Sequence, residues 1–176
     1  SIDALREAQD AILKGYAFCL SGDYRLALAE FSNAQRIFDT HGDVWEANLS
    51  RYFEGYCLIN LGNSQAGLET IERVVKFARS GNFAWLEMTA LYWLAGSNRN
   101  LRQHSVSKLT FQRAIAVAEK IGDRYGLQRN LLDLALDGSF LGQHKVALDG
   151  LYRALEVSNA GYSPIRQRFR LSVGAS

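Results

Sequence analysis

The sequence predicts an all-α protein built from stacked helical hairpins, and three observations support this fold class. The chain of 176 residues contains a single proline, whereas average usage of about 5% would give roughly nine, and proline interrupts helices and interior strands alike. Apolar residues recur at helical spacing, as in Ala27, Phe31 and Ala34. The same pattern returns every 40 residues, which is typical of a repeat protein.

The 40-residue period is clearest in columns of residues that share their size. One column contains only small residues, a second contains large apolar residues, and a third contains glycines interrupted once by arginine. Closely crossing helices require small residues, and a large side chain fills the space between successive helices, so each hairpin is expected to stack on the next. The columns are Gly15, Gly55, Ala95 and Ala135; Phe31, Ile71, Phe111 and Leu151; and Gly22, Gly62, Arg102 and Gly142.

Turn signals fall twice in each period and divide it into two antiparallel helices. In one type of turn a glycine is expected to supply the left-handed stop, and the next residue caps the following helix, as at Gly42, Gly81 and Gly122. Asp43 and Glu46 form a capping box. The expected helices span residues 3–21, 24–41, 43–61, 64–80, 83–101, 105–121, 124–141, 144–160 and 164–173.

These columns resemble the tetratricopeptide repeat (TPR), in which small and aromatic residues alternate at fixed positions of two helices. The first copy carries this pattern through Gly15, Phe18, Gly22, Tyr24, Ala27, Phe31 and Ala34. The third and fourth copies depart from it at Asn98, Arg102 and Gly138, and the closing proline of the family is absent from every copy. The period of 40 residues, rather than about 34, resembles the long-repeat branch of the family.

The resemblance implies one domain, 1–176, that forms a right-handed α-solenoid with a superhelical twist. Its four repeats cover about 8–42, 43–82, 83–122 and 123–162, and a capping or fifth-repeat helix covers 163–176. In this family the first helix of each repeat lines a concave groove that holds peptides or protein segments. The groove positions map here onto Tyr52, Phe53, Tyr56, Asn60, Tyr92, Trp93, Gly96, Arg99 and Asn100.

Two interpretations remain open for the aromatic members of this set. They either line the groove or are buried among the repeats by tight superhelical curvature. Burial is favoured for Phe53 and Trp93. The groove is favoured for Tyr56, because its hydroxyl needs a polar partner. Arg99 and Asn100 suit a groove that pairs with a bound backbone, although a frayed helix end fits the same segment. Tyr56 and Arg99 are the expected binding anchors.

Composition and motifs exclude several other function classes. The net charge of +2 does not predict nucleic-acid binding, and no apolar stretch is long enough to span a membrane. No nucleotide-binding loop or hydrolase motif is present, so neither an enzymatic activity nor a cofactor is expected.

The candidate metal ligands and thiols also have a structural interpretation. Asp133 and Asp137 share one face of a helix, where pairing with Arg99 or Arg129 is favoured over acid–base chemistry or a metal. The three histidines lie at separate turns, so a metal site is not expected. Cys19 and Cys57 lie within helices without metal-ligand spacing and are interpreted as buried structural thiols of a reducing, cytoplasmic compartment.

The expected function is therefore protein–protein interaction through a peptide or protein segment held in the groove. The module is expected to belong to a larger bacterial signalling or regulatory protein. A ligand-sensing domain that controls an attached effector domain and a self-assembly scaffold are the alternatives. The helix from Pro164 to Val173 carries apolar residues that no second helix of its repeat covers. We expect it either to contact a further domain of the intact protein or to mediate self-association.

Overall fold

The computed structural model describes residues 1–159, which form eight α-helices and no strand. Each expected helix boundary up to this point agrees within one residue with the structure. The ninth expected helix, 164–173, lies outside the described residues. The helices are α1 (Ile2–Ser21), α2 (Tyr24–His41), α3 (Val44–Asn60), α4 (Ser64–Ser80), α5 (Ala84–Asn100), α6 (His104–Ile121), α7 (Arg124–Phe140) and α8 (His144–Asn159).

The helices form four hairpins that stack in chain order. Each helix packs against the helix before it and the helix after it, and additional contacts join α3 to α5 and α5 to α7. The odd-numbered helices therefore share one face of the stack, which we call the odd-helix face. The prediction of an all-α solenoid of antiparallel hairpins is confirmed. Within the described residues, no helix has both the length and the apolar character that a membrane crossing requires.

The predicted small and large columns pack against each other. A Cβ atom on Gly15 would lie 2.7 Å from the ring of Phe31, and one on Gly55 would lie 2.6 Å from Cδ1 of Ile71. These contacts explain glycine within a helix, because the space of its side chain is already filled. Phe31, Ile71 and Phe111 are buried as expected, whereas Leu151 is 49% exposed because α8 is the last helix of the described stack.

Gly96 differs from the other helical glycines, and this difference can be tested. A Cβ atom at Gly96 would meet no atom within 4 Å, so Gly96→Ala is expected to raise the free energy of unfolding by up to about 1 kcal/mol through helix propensity. Gly15→Ala is expected to lower it by about 1–3 kcal/mol, because the ring of Phe31 must move. Chemical denaturation of both variants measures the two effects, and a stabilising Gly15→Ala would contradict the packing role of the small column.

The turns around α5 correct one expectation about glycine. Gly42 and Gly122 adopt the left-handed conformation, with φ of 75° and 71°, but Gly81 does not. Asn82, with φ of 57°, adopts it instead, and the ring of Phe83 lies where a side chain on Gly81 would stand. The left-handed residue therefore lies one position later than predicted, and α5 begins after Phe83 without a side-chain cap.

Two other caps form as the sequence predicts. Oδ1 of Asp43 accepts a hydrogen bond from the backbone N–H of Glu46 at 3.3 Å, and Oδ1 of Asp123 accepts one from Gly126 at 2.9 Å. Arg102 takes the place of glycine in the third column and adopts its left-handed conformation, with φ of 59°. The repeat geometry is thus maintained even where the residue type departs from the pattern.

Candidate functional site

A series of aromatic rings crosses the odd-helix face from α1 to α5. Tyr16 contacts Phe53 edge-to-face, with ring centroids 4.8 Å apart. Tyr56 meets Trp93 at 4.8 Å, and Trp93 in turn meets Tyr92 at 5.3 Å, both edge-to-face. Such geometry is favourable because the positive edge of one ring faces the negative face of the next. We call this series the aromatic ladder; its members are Tyr16, Tyr52, Phe53, Tyr56, Tyr92 and Trp93.

Tyr52 holds the ladder together between α3 and α5. Its ring contacts Phe53 at 4.8 Å, and its hydroxyl oxygen accepts a hydrogen bond of 2.9 Å from Nε1 of Trp93. Tyr52 is only 6% exposed, and burial raises the pKa of its hydroxyl, although the hydrogen bond from Trp93 acts in the opposite direction. The side chain is therefore a buried, uncharged support for the rings around it.

The remaining ladder rings keep part of their surface accessible. Tyr16 is exposed, and Phe53, Tyr56, Tyr92 and Trp93 are half-buried. Burial raises the pKa of Tyr56, and the adjacent Tyr24 acts in the same direction. Burial likewise raises the pKa of Tyr92, followed by the negative charge of Asp133. The ladder thus combines close ring contacts with a partly accessible, uncharged aromatic surface.

Arg129 of α7 contacts the last ring of the ladder, Tyr92. Its guanidinium carbon lies 3.8 Å from the centroid of the Tyr92 ring and 5.7 Å from that of Tyr125. Nε of Arg129 is buried, and no atom of the described residues accepts a hydrogen bond from it. The sequence analysis considered Arg129 only as a partner for the aspartate pair, because cation–π contacts between repeats depend on the twist of the stack.

Apolar residues flank the ladder on both outer helices. These residues are exposed and lie one repeat before or after positions that the family resemblance placed in the groove. Extending the 40-residue period from Tyr56 and Gly96 would have identified Tyr16 and Leu136, so the signal was present in the sequence. The flanking residues are Leu13 and Leu20 of α1, and Leu132, Leu136 and Phe140 of α7.

The two predicted asparagines lie at the exposed ends of α3 and α5. Asn60 donates a hydrogen bond of 2.8 Å from Nδ2 to the backbone oxygen of Tyr56, which leaves its Oδ1 available. Asn100 is exposed as well. The structure therefore places Tyr52, Tyr56, Tyr92 and Trp93 together, with the asparagines at the border of the face.

Arg99 belongs to a separate ionic cluster between the third and fourth hairpins. Its Nε lies 2.9 Å from Oδ1 of Asp137, its Nη1 lies 2.6 Å from Oδ1 of Asp133, and its Nη2 donates to the backbone oxygen of Asp133. Asp137 is fully buried and also accepts a hydrogen bond from Oγ of Ser107. Nδ1 of His104 lies 3.6 Å from the same carboxylate.

The ionic cluster fixes the charge and the position of Arg99. Burial alone would lower the pKa of Arg99, but the hydrogen bonds that it donates to Asp137 and Asp133 raise the pKa above its ordinary value. The predicted pairing of the aspartates with Arg99 is confirmed. All three guanidinium nitrogens of Arg99 are engaged within the cluster, and its role as a binding anchor stays a prediction.

The chemistry of these groups favours binding over reaction. The described residues contain no group of three or more side chains of the types that hold a metal ion. The accessible surface of the ladder consists of neutral rings and aliphatic side chains, which offer contact area. The buried charges of the ionic cluster already satisfy one another.

No protein-family model and no curated protein sequence matches this chain. Solved structures resemble it closely in shape. Aspartyl phosphate phosphatase F from Bacillus subtilis matches with a TM-score of 0.82 and 14% identity, over 88% of this chain and 40% of the phosphatase. A Rap protein complexed with Competence and Sporulation Factor matches with a TM-score of 0.79 and 13% identity, over 88% of this chain and 43% of that protein.

A third similar structure is a kinesin light chain from Podosopora anserina with nearly identical TPR-like repeats. It matches with a TM-score of 0.74 and 13% identity, over 89% of this chain and 77% of that chain. This chain thus spans less than half of the phosphatase and of the Rap protein. At such low identity the likeness concerns the fold alone, and the fold of this chain is that of the TPR-like helical solenoids.

Proposed function

We propose that the odd-helix face is a concave groove that binds a protein segment rich in aromatic and aliphatic side chains. The observation that carries this proposal is the aromatic ladder, which runs across α1, α3 and α5 and keeps part of its surface accessible. Aromatic residues dominate binding surfaces because they provide a large contact area and have few rotatable bonds.

The flanking leucines extend the same surface beyond the ladder. Leu13 and Leu20 at one end and Leu132 and Leu136 at the other are exposed, so an occupant finds apolar contacts along the whole stack. Contiguous apolar surface of this kind is uncommon on a protein without a partner. An extended or helical segment with hydrophobic residues on one side fits such a surface better than an acidic peptide, because the ladder and the flanking residues are uncharged.

Polar groups at the border of the odd-helix face orient a bound segment. The side chains of Asn60 and Asn100 are exposed at the ends of their helices and suit hydrogen bonds with the backbone of a bound segment. The guanidinium of Arg129 lies against the ring of Tyr92. These groups fix the register of an occupant, while the rings contribute most of the binding free energy.

In its broader setting, we propose a cytoplasmic interaction module of a larger signalling or regulatory protein. Two of the similar structures are more than twice as long as the matched region, and one of them is a complex with a factor. That complex also supports a ligand-sensing role as the second candidate. Self-association through residues 164–173 remains a prediction outside the described residues, and the apolar stripe that α8 exposes supports it.

The groove is tested with two leucines of similar exposure on opposite faces. Leu136 of α7 is 44% exposed on the odd-helix face, and Leu109 of α6 is 59% exposed on an even-numbered helix. A peptide array screened with the full chain first identifies a binding sequence. Leu136→Glu and Tyr56→Ala are each expected to weaken that peptide's binding more than tenfold, which corresponds to about 1.4 kcal/mol. Leu109→Glu is expected to bind normally.

Thermal unfolding distinguishes a variant that has lost a binding contact from a variant that no longer folds. Both glutamate variants replace exposed residues, so their midpoints should remain close to that of the original chain. If Leu109→Glu abolishes binding while Leu136→Glu does not, the odd-helix face is not the binding site. If Tyr56→Ala unfolds, Tyr56 belongs to the core, and the leucine pair still decides the location of the site.

A further inference from the structure

The two cysteines of the chain meet although they lie on different hairpins. Cys19 lies near the end of α1 and Cys57 near the end of α3, and their Sγ atoms are 3.8 Å apart. Both are free thiols; Cys57 is fully buried and Cys19 is partly exposed. Both were predicted to be structural thiols, because they lie within helices and lack metal-ligand spacing, and their contact was not predicted.

We propose that Cys19 and Cys57 form an oxidisable dithiol, which hydrogen peroxide converts into a disulfide that links the first hairpin to the second. The sulfur atoms must approach each other by about 1.8 Å to reach the length of a disulfide bond. Side-chain rotation can supply much of this movement, because each sulfur already lies in contact with the other. This inference does not depend on the proposed groove.

The difference in exposure between the two thiols sets the order of the steps. The thiolate of Cys19 attacks one oxygen of the peroxide; the O–O bond breaks, and the departing hydroxide takes up a proton to form water. The sulfur of Cys57 then attacks the sulfenic acid on Cys19, so that an S–S bond forms as the S–O bond breaks. The hydroxide leaves with the proton of Cys57 as a second water, and the two thiols lose two electrons to the peroxide.

The surroundings of the thiols make this reaction dependent on pH. Burial raises the pKa of Cys57, and the adjacent Cys19 acts in the same direction. Burial also raises the pKa of Cys19, although its hydrogen bond with Cys57 opposes this effect. Because the thiolate is the attacking species, oxidation should be slow at neutral pH and accelerate as the pH increases.

The cross-link would act on one end of the aromatic ladder. Cys57 packs with Ala27 and Phe31, and Phe53 and Tyr56 lie against the same cluster. A disulfide here restrains α1 against α3, two helices that otherwise meet mainly through side chains such as Tyr16 and Phe53. It also closes a loop of 38 residues, which reduces the conformational freedom of the unfolded chain.

The test uses the folded chain of 176 residues and hydrogen peroxide as the probe. The expected product is a monomer whose intact mass has decreased by two hydrogen atoms, with a peptide map that joins Cys19 to Cys57. Its thermal midpoint should rise by roughly 5–10 °C and return to the original value after reduction. The rate of formation should increase between pH 7 and pH 9.

The single variants Cys19→Ser and Cys57→Ser provide matched controls. Cys57→Ser, which keeps the partly exposed Cys19, should gain oxygen atoms or form intermolecular dimers. Cys19→Ser, which keeps only the buried Cys57, should stay reduced, and neither variant should lose two hydrogen atoms. The inference is overturned if the original chain itself yields only oxygen adducts or dimers, or stays reduced while a denatured sample forms the disulfide. It is also overturned if the cross-linked monomer does not gain thermal stability, because the native positions would then not suit the bond.

Discussion

Arg99→Ala is expected to lower the free energy of unfolding by about 3–5 kcal/mol, because it leaves a buried carboxylate without its counter-charge. Asp137 is fully buried. Its carboxylate accepts two hydrogen bonds from Arg99 and one from Ser107. The arginine also lies 4.9 Å from the ring centroid of Phe111, so its loss removes packing as well as charge. Urea unfolding monitored by circular dichroism measures the change.

An exposed ion pair provides the control for this substitution. Arg153 lies 2.6 Å from Glu119, and both side chains are 49% exposed, so Arg153→Ala is expected to cost less than about 1 kcal/mol. Asp137→Asn, which removes the buried charge but keeps the shape, should cost less than Arg99→Ala. If Arg99→Ala and Arg153→Ala have the same effect, the ionic cluster does not support the fold.

Phe31→Ala and Phe111→Ala are each expected to cost about 3–5 kcal/mol, a large share of a typical stability of about 5–15 kcal/mol. Both rings are at most 1% exposed, and each occupies the large column that fills the space beside a small residue. Equilibrium denaturation of each variant, with an unchanged slope in denaturant, measures the loss.

Leu151 provides a comparison within the same column. It is 49% exposed, so Leu151→Ala should cost about 1 kcal/mol, in proportion to the smaller area that it buries. A loss below about 1 kcal/mol for either phenylalanine variant would mean that the repeat columns are assigned wrongly. A loss for Leu151→Ala as large as that for Phe31→Ala would show that another surface covers α8 in solution.

The helices and their packing columns could be predicted from the sequence because both depend on local periodicity. The match of Gly15 with Phe31 and of Gly55 with Ile71 follows from size alone once the 40-residue period is known. The left-handed residue in the turn before α5 follows the same period, because Gly42, Asn82 and Gly122 are 40 residues apart. The prediction missed Asn82 because it favoured the residue type of Gly81 over the position that the period gives.

The residues that share the odd-helix face could be predicted from the sequence, but their contacts could not. Tyr56 and Trp93 were assigned to the groove from the family resemblance, and the structure places them in contact. The hydrogen bond between Trp93 and Tyr52 and the contact between Cys19 and Cys57 depend on the angle between successive hairpins. That angle is a property of the whole stack, and no local pattern encodes it.

The contacts between successive hairpins differ in chemistry along the stack. We therefore expect the two ends of the stack to differ in how their stability changes with temperature. Rings and thiols dominate the boundary between α1 and α3, whereas that between α5 and α7 adds buried charges. Apolar stabilisation weakens on cooling, whereas the desolvation penalty of an ion pair becomes smaller on heating. Cold should therefore loosen the amino-terminal hairpin first, and the ionic junction should be the one that best tolerates heat.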